Sequence, residues 1–350
     1  MKRFKSIALA ALAILVAVAY IPTLPVSAQS TGSAALSIPP KKNYVIDPGS
    51  SVQDTLNIRN IDTTSDLNLN LRVIDFTYTD DSGTPKLMLD QNLEPTTWSL
   101  KSYLQVPESV SVKPGQSKSV DLKVSIPSKL GAGSYYSAII YSTGAPNGGN
   151  VGLSASGVTL VFVTVPGKVN EDLTLKNFGA YNPDKQSGDG FMFITGTEPK
   201  YMGYTLENKG NVTEAPVGTI TLKSMFGQQY SITDVNTSKS LALIGQTRTF
   251  STCIKLEKQG PEANNTPTCV SAGLWPGFYT ASLDIFYGQN GNNTQEITKT
   301  TVFWYLPLWF LVVVLILALI VAFTIWRLVV AVKRRTNAPR GRKSSRMMRR

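Results

Sequence analysis

From Leu306 to Trp326 the chain runs for 21 residues without a charged side chain. At ~1.5 Å per residue, a helix of that length crosses the ~30 Å hydrocarbon core of a bilayer and satisfies its own backbone polar groups. The 24 residues that follow, 327–350, hold ten Lys or Arg and no acid. A basic flank of this kind stays on the cytoplasmic side of a membrane. Together these features predict one C-terminal transmembrane helix over 306–326 and a cytoplasmic tail over 327–350. Trp304, Tyr305 and Trp309 at the start of the span, and Trp326 at its end, sit where aromatic rings favour the two interfaces. In the tail, Lys333, Arg334, Arg335, Arg340, Arg342 and Lys343 are expected to lie against anionic lipid headgroups.

The formal net charge of +11 would suggest a nucleic-acid partner if it were spread over a folded surface. It is not spread in that way. All 23 acidic residues lie within 29–305, where they meet 21 basic ones. The basic excess belongs to the two ends, each beside an apolar run. At the N-terminus Lys2, Arg3 and Lys5 precede the 14-residue apolar stretch Ile7–Tyr20, and the small residues Val26 and Ala28 come after it. That order predicts a signal peptide over 1–28, cut between Ala28 and Gln29. Residues 29–305 are then exported, and no nucleic acid is expected as a partner.

The exported part alternates with period two. "SVDLKVSIP" places Val120, Leu122, Val124 and Ile126 on one face, and "SDLNLNLRVIDF" does the same with Leu67, Leu69, Leu71 and Val73. The turn sequences "DPGS", "DDSG", "VKPGQ" and "MFGQ" fall between such runs. Asp80-Asp81-Ser82-Gly83 reads as a hairpin loop rather than a cation site. A weak repeat groups the strands. "KPGQSKSVDLKVSIP" then "GAGSYYSAIIYS" has the same order as "LIGQTRTFSTCIKL" then "LWPGFYTASLDIFYG", with Gly115 and Gly245 offset by 130 residues and Gly133 and Gly277 by 144. The expected fold is all-β, with two immunoglobulin-like β-sandwich domains in tandem over 35–165 and 166–303, followed by the helix. The Gly-rich stretch 144–157 reads as a loop on the first domain.

Cys253 and Cys269 are the only cysteines and bracket the extra residues of the second copy. On the oxidising side of a membrane they are expected to form a disulfide. The chain has no His, no G-x-S-x-G and no phosphate-binding glycine loop, so neither an enzyme, nor a metal site, nor a cofactor is expected. Sequons at Asn211, Asn236, Asn264 and Asn292 mark stretches expected to be polar and exposed.

"VSVKPGQSKSVDLKVSIPSKLGAGSYYSAIIYST" and, upstream, "IDPGSSVQDTLNIRNIDTTSDLNLNLRVIDFTYTDDSG" resemble the two halves of the first domain of bacterial WxL-interacting cell-surface proteins. The resemblance covers residues 36–165, and the order of signal peptide, two domains, span and basic tail is similar too. The Cys-bracketed insertion departs from the family pattern. The resemblance implies that the first domain contacts peptidoglycan or a wall-bound surface protein, and the second an external partner. The expected protein is thus anchored in the cell membrane by a single pass, with sandwiches that bind a cell-wall polymer or wall-associated surface protein in an adhesion or scaffold role. The alternative is a membrane-tethered assembly factor that engages client strands by β-edge addition. An unpaired edge in the first domain favours the latter; covered edges with an exposed aromatic patch favour the former. The edges and the 144–157 loop are the expected contact surface, with Tyr135, Tyr136 and Tyr141 assigned to core.

Overall fold

The computed structural model describes residues 36–90, 92–143, 155–185, 190–257, 268–288 and 295–336. The leader with its Ala28–Gln29 cut, residues 144–154 of the Gly-rich stretch, Arg340, Arg342, Lys343, Asn264 and Asn292 lie outside the described residues.

The first half is built from β1 (Leu36–Ser37), β2 (Lys41–Val45), β3 (Ser51–Asn60), β4 (Leu67–Ile74), β5 (Phe76–Tyr78), β6 (Pro85–Leu87), β7 (Leu104–Gln105), β8 (Ser109–Val112), β9 (Ser117–Ser125), β10 (Gly133–Ser142) and β11 (Ala155–Val165). They form one sheet in the order β1-β3-β9-β7 and another in the order β2-β11-β10-β4-β8. The second half comprises β12 (Leu173–Tyr181), β13 (Phe191–Met192), β14 (Ile194–Thr195), β15 (Tyr201–Asn208), β16 (Val217–Ser224), β17 (Gln229–Ile232), β18 (Thr247–Cys253), β19 (Leu256–Glu257), β20 (Thr268–Cys269), β21 (Gly277–Tyr287) and β22 (Gln295–Tyr305). Its sheets run β13-β12-β15-β18 and β14-β22-β21-β16-β17. Two small pairs stand apart, β5–β6 and β19–β20.

Period-two patterning explains each core. In the first unit Leu56 and Ile58 of β3 and Val120, Leu122 and Val124 of β9 meet Leu69, Leu71, Ile139 and Val161 of the opposite sheet. In the second, Leu206 and Phe250 meet Ile220, Leu283 and Phe303. The repeat persists in the backbone. Gly115 and Gly245, in the turns before β9 and β18, both adopt φ +67°. Gly133 and Gly277 open β10 and β21 at φ +152° and +141°.

Strand β10 breaks the alternation, because it is buried on both faces. Ile139 and Tyr141 point into the first core, and Tyr136, Ala138 and Ile140 point into a third cluster with Ile74, Phe76, Phe162 and Leu243. Leu243 belongs to the second unit, so this cluster joins the two. Beside it, Asn211 Nδ2 donates to the Ala132 carbonyl and the Ser134 amide donates to the Asn211 carbonyl, each at 3.0 Å. The Thr213 amide reaches Ser134 Oγ at 3.0 Å. Glu214 follows, buried, with Oε2 accepting from the Gly288 amide at 3.2 Å.

Two expectations change at the membrane end. The apolar helix begins at Leu308 rather than 306, as the 29-residue α1 (Leu308–Thr336). The Leu306 amide is still committed to the sheet through the Thr195 carbonyl, and Pro307, which cannot donate, then ends the strand. The second domain likewise continues past 303: Trp304 and Tyr305 are the last two residues of β22. Residues Leu308–Lys333 of α1 are long and apolar enough to cross a membrane. Asn236 is also not an exposed sequon; it is buried, and Nδ2 donates to the Pro216 and Ser240 carbonyls at 3.0 Å each.

Cys253 and Cys269 are bonded, with Cα atoms 5.4 Å apart, and tie the end of β18 to β20. Closing a loop of this length stabilises the fold by about 3 kcal/mol. Cys253→Ser should therefore lower the melting temperature of the second unit by several degrees and leave the first unchanged, read by calorimetry of the full chain.

Burial, with the charge of Glu171 adding to it, pushes the Glu214 carboxyl up to about 7, while the Gly288 amide opposes the shift. An unfolded Glu titrates at about 4.3. The folded state therefore binds the extra proton between those values, so this contribution is complete below about pH 4.3 and is lost as pH rises through 7. Melting curves should show that loss, and Glu214→Gln should flatten it.

Candidate functional site

The joint leaves a cleft with a cation on each wall. Lys41 opens β2, the outermost strand of its sheet, and strand alternation sends it and Lys42 to opposite faces. Lys42 turns inward and pairs with Asp54 at 2.7 Å, where Tyr44 Oη also donates to Asp54 Oδ2 at 2.6 Å. Those bonds, Lys42 first, hold the Asp54 carboxyl down at about 2. Lys41 turns outward. Its ammonium stands 4.8 Å from the Phe162 ring centroid and makes no ion pair among the described residues. Burial lowers the Lys41 pKa, and the nearby charge of Arg248 lowers it further.

Arg248 lies on β18, across the joint. Its guanidinium carbon is 5.0 Å from the Tyr78 ring centroid and 5.3 Å from that of Phe250. Nη1 donates to Tyr78 Oη at 2.7 Å and to the Leu241 carbonyl at 2.8 Å, while Nε is buried without a partner. The β5–β6 hairpin supplies this setting by reaching out of the first unit. Its Tyr78 amide donates to Gln246 Oε1 at 2.9 Å, and at its tip Asp81 accepts from Thr249 through both the backbone amide and the hydroxyl. Gly83 then lies against the guanidinium. With φ at +83°, a Cβ there would stand 2.4 Å from Arg248 Cζ. Only glycine fits.

The cleft, about 250 Å³, is lined by Lys41, Lys239 and Arg248 together with Tyr78, Phe162 and Ser240. Three cations line it and no carboxylate does. Lys239 is the one non-glycine residue with positive φ among the described residues, at 47°. A second groove of about 230 Å³ continues from it along β18, from Arg248 to Cys253, and shares Ser238, Ser240 and Arg248 with the cleft. Its walls carry the hydroxyls of Thr237, Ser238, Ser240, Ser251 and Thr252. β18 is the last strand of its sheet. Because the Thr249 amide points away from β15, alternation turns the Ser251 amide and carbonyl the same way, into the groove. The Thr249 amide is taken by Asp81, so the open part of this edge is the Ser251 amide and carbonyl, a short docking point for another strand. At its upper end, two like charges share a half-buried space, and a bound carboxylate relieves both their repulsion and their lost hydration.

Cys253 closes the lower end of this groove. The other residues expected to matter lie elsewhere. Trp309 and Trp326 are exposed on α1, Trp304 and Tyr305 end β22, and Lys333, Arg334 and Arg335 fall in the last turns of the helix. Tyr136 and Tyr141 are buried and Tyr135 is half-buried. Lys41, Tyr78, Gly83 and Arg248 carried no sequence signal of their own beyond the "DDSG" turn and the alternation of their strands. Among the described residues no group of three or more His, Cys, Asp or Glu could hold a metal ion.

No protein-family model matches the chain, and no curated protein does. Similar solved structures include the class 5 fimbriae chaperone CfaA, at 13% identity and TM-score 0.33 over 78% of this chain and 100% of that one. The E. coli chaperone DraB is similar at 14% identity and TM-score 0.31, over 77% of this chain and 98% of that one. The Pseudomonas aeruginosa CupB2 chaperone is similar at 10% identity and TM-score 0.29, over 73% and 96%.

Gly83→Ala should loosen the hairpin from Arg248. A left-handed φ costs a non-glycine residue about 1–2 kcal/mol, and the added methyl displaces the guanidinium. Proteolysis between the units should accelerate severalfold with each core still melting cooperatively. An unchanged cleavage rate would remove the hairpin tip from the account of the joint.

Proposed function

We propose that the chain is a membrane-anchored binding protein whose two immunoglobulin-like sandwiches hold an extended segment of a client protein by β-edge addition. The observation that carries this reading is the continuity of the β18 groove with the cation-lined cleft. The Ser251 backbone groups below the docked hairpin tip bond a short extended segment of any sequence, and Lys41 and Arg248 select one with a carboxylate at its upper end. The role is binding, without chemistry on the client.

The outer edge of β2, which no described strand covers, supports the same reading. The aromatic face of the first unit, formed by Phe76, Tyr136 and Phe162, is buried inside the joint and is not open to a wall polymer. On the resemblance of residues 36–165 to WxL-interacting proteins, the client is a wall-associated surface protein. It is met outside the membrane, with α1 as the single span and the basic tail in the cytoplasm.

The test uses the full chain in nanodiscs and a panel of short peptides of alternating apolar pattern, each with a free or an amidated C-terminus. Free acids should bind about tenfold or more tightly than amides, the difference shrinking with salt, and Lys41→Gln should abolish the preference. Equal binding of acids and amides would remove the carboxylate from the proposal. Retention of isolated wall polymer in place of any peptide would return the protein to the adhesion reading.

A further inference from the structure

The end of the second unit nearest α1 carries an apolar surface assembled from three separate segments. Phe193 and Ile194 are 60% and 61% exposed, Met225 and Phe226 58% and 62%, and Trp275 61%. They lie together. The Met225 amide donates to the Phe278 carbonyl at 2.9 Å, and the Trp304 amide to the Phe193 carbonyl at 2.8 Å. Phe278 and Trp304 are ring partners at 5.2 Å. A Cβ on Gly277, opposite Tyr305 in the ladder, would stand 2.8 Å from Met225 Sδ. Trp275 is tied in through its carbonyl, which accepts from Tyr279 Oη at 2.8 Å. No charged residue occurs in 191–197, 224–228, 270–279 or 301–311. The nearest acid, Glu198, is turned to folding the Trp275 loop, accepting from Ser271 Oγ at 2.6 Å and from the Gly273 and Leu274 amides at 2.8 and 3.1 Å.

Monomeric soluble proteins rarely expose contiguous clusters of large apolar side chains, and such clusters mark protein or membrane contact sites. Which contact applies follows from the chain path. β22 ends at Tyr305 and α1 starts at Leu308, so only two residues separate this surface from an uncharged helix long enough to span. Aromatic and aliphatic side chains rimming the start of a span belong at the headgroup level. We propose that Phe193, Ile194, Met225, Phe226 and Trp275 form a seat in the bilayer interface, so that the second unit rests on the lipid surface instead of swinging above it. The proposal rests on α1 crossing a membrane and is independent of what the cleft binds.

The full chain is reconstituted in phosphatidylcholine vesicles containing some phosphatidylglycerol and lipids that carry a spin label near the headgroup. Single environment-sensitive fluorophores are placed at Phe226→Cys and at Trp275→Cys. Leu317→Cys in mid-helix serves as the reference for lipid, and exposed Asp47→Cys in the first unit as the reference for water. The labels at 226 and 275 should emit to the blue of that at 47, lose most of their emission to the headgroup spin label, and resist aqueous iodide. Emission and iodide quenching like those at 47, with the label at 317 still in lipid, would overturn the seat alone. Protection from both quenchers, with 226-to-226 disulfide dimers, would give the surface to a second copy of the chain and overturn it too. A water-exposed label at 317 would overturn the span on which the seat depends.

Discussion

The second face of strand β10 is the constraint from which the rest of the molecule follows. Tyr136, Ala138 and Ile140, with Phe162 beside them, are covered in part by Phe76 and Trp98 of the first unit and in part by Leu243 of the second. Their burial at about 25 cal/mol per Å² is worth several kcal/mol, and it is complete only when Leu243 covers them too. The two units are therefore fused through a core of their own rather than strung on a linker. The cleft inherits its shape from that fusion, because Lys41 comes from the first unit and Lys239 and Arg248 from the second.

Much of this was legible in the chain. Alternation named the strands that bury one face, and the glycines of the repeat marked two turns whose φ angles are equal. The uncharged run marked the helix, and the two cysteines, expected as a pair, are bonded. What alternation could not show is a strand buried on both sides. "GSYYSAIIYS" reads equally as an aromatic strand of one sandwich and as the partner of another domain, since periodicity carries no information about the far face. "DDSG" was visible as a hairpin loop, but its docking on Arg248, some 165 residues further along, is a tertiary fact without local signature. Helix onset was misplaced by two residues for a related reason. Hydropathy sees Leu306 as apolar and cannot see its amide bonded to Thr195.

Net charge misleads about this site in the opposite direction from the ends of the chain. Residues 29–305 are slightly acidic as a whole, yet the cleft within them is lined by three cations and no acid. The pair Lys41-Lys42 shows how the distinction arises. One lysine is neutralised at 2.7 Å by Asp54 of the facing sheet, partly open to solvent, and its neighbour, on the other face of the same strand, is held over Phe162 where the charge of Arg248 acts on it. Composition averages over both.

The positions of cleft and helix are mechanically related. β21 and β22 are paired strands of eleven residues each, and at about 3.3 Å per residue they span about 35 Å. At one end they meet α1. At the other, the Gly288 amide bonds Glu214, the neighbour of Thr213, which touches the first unit. β18 runs in the same layer pair from Thr247, at the joint, down to Cys253, whose successor Ile254 bonds Lys200 near the lower end. β18 and the β21–β22 pair thus both run between the joint and the end of the second unit from which α1 leaves, and the disulfide at Cys253 and the two-residue link into α1 leave little slack at that end.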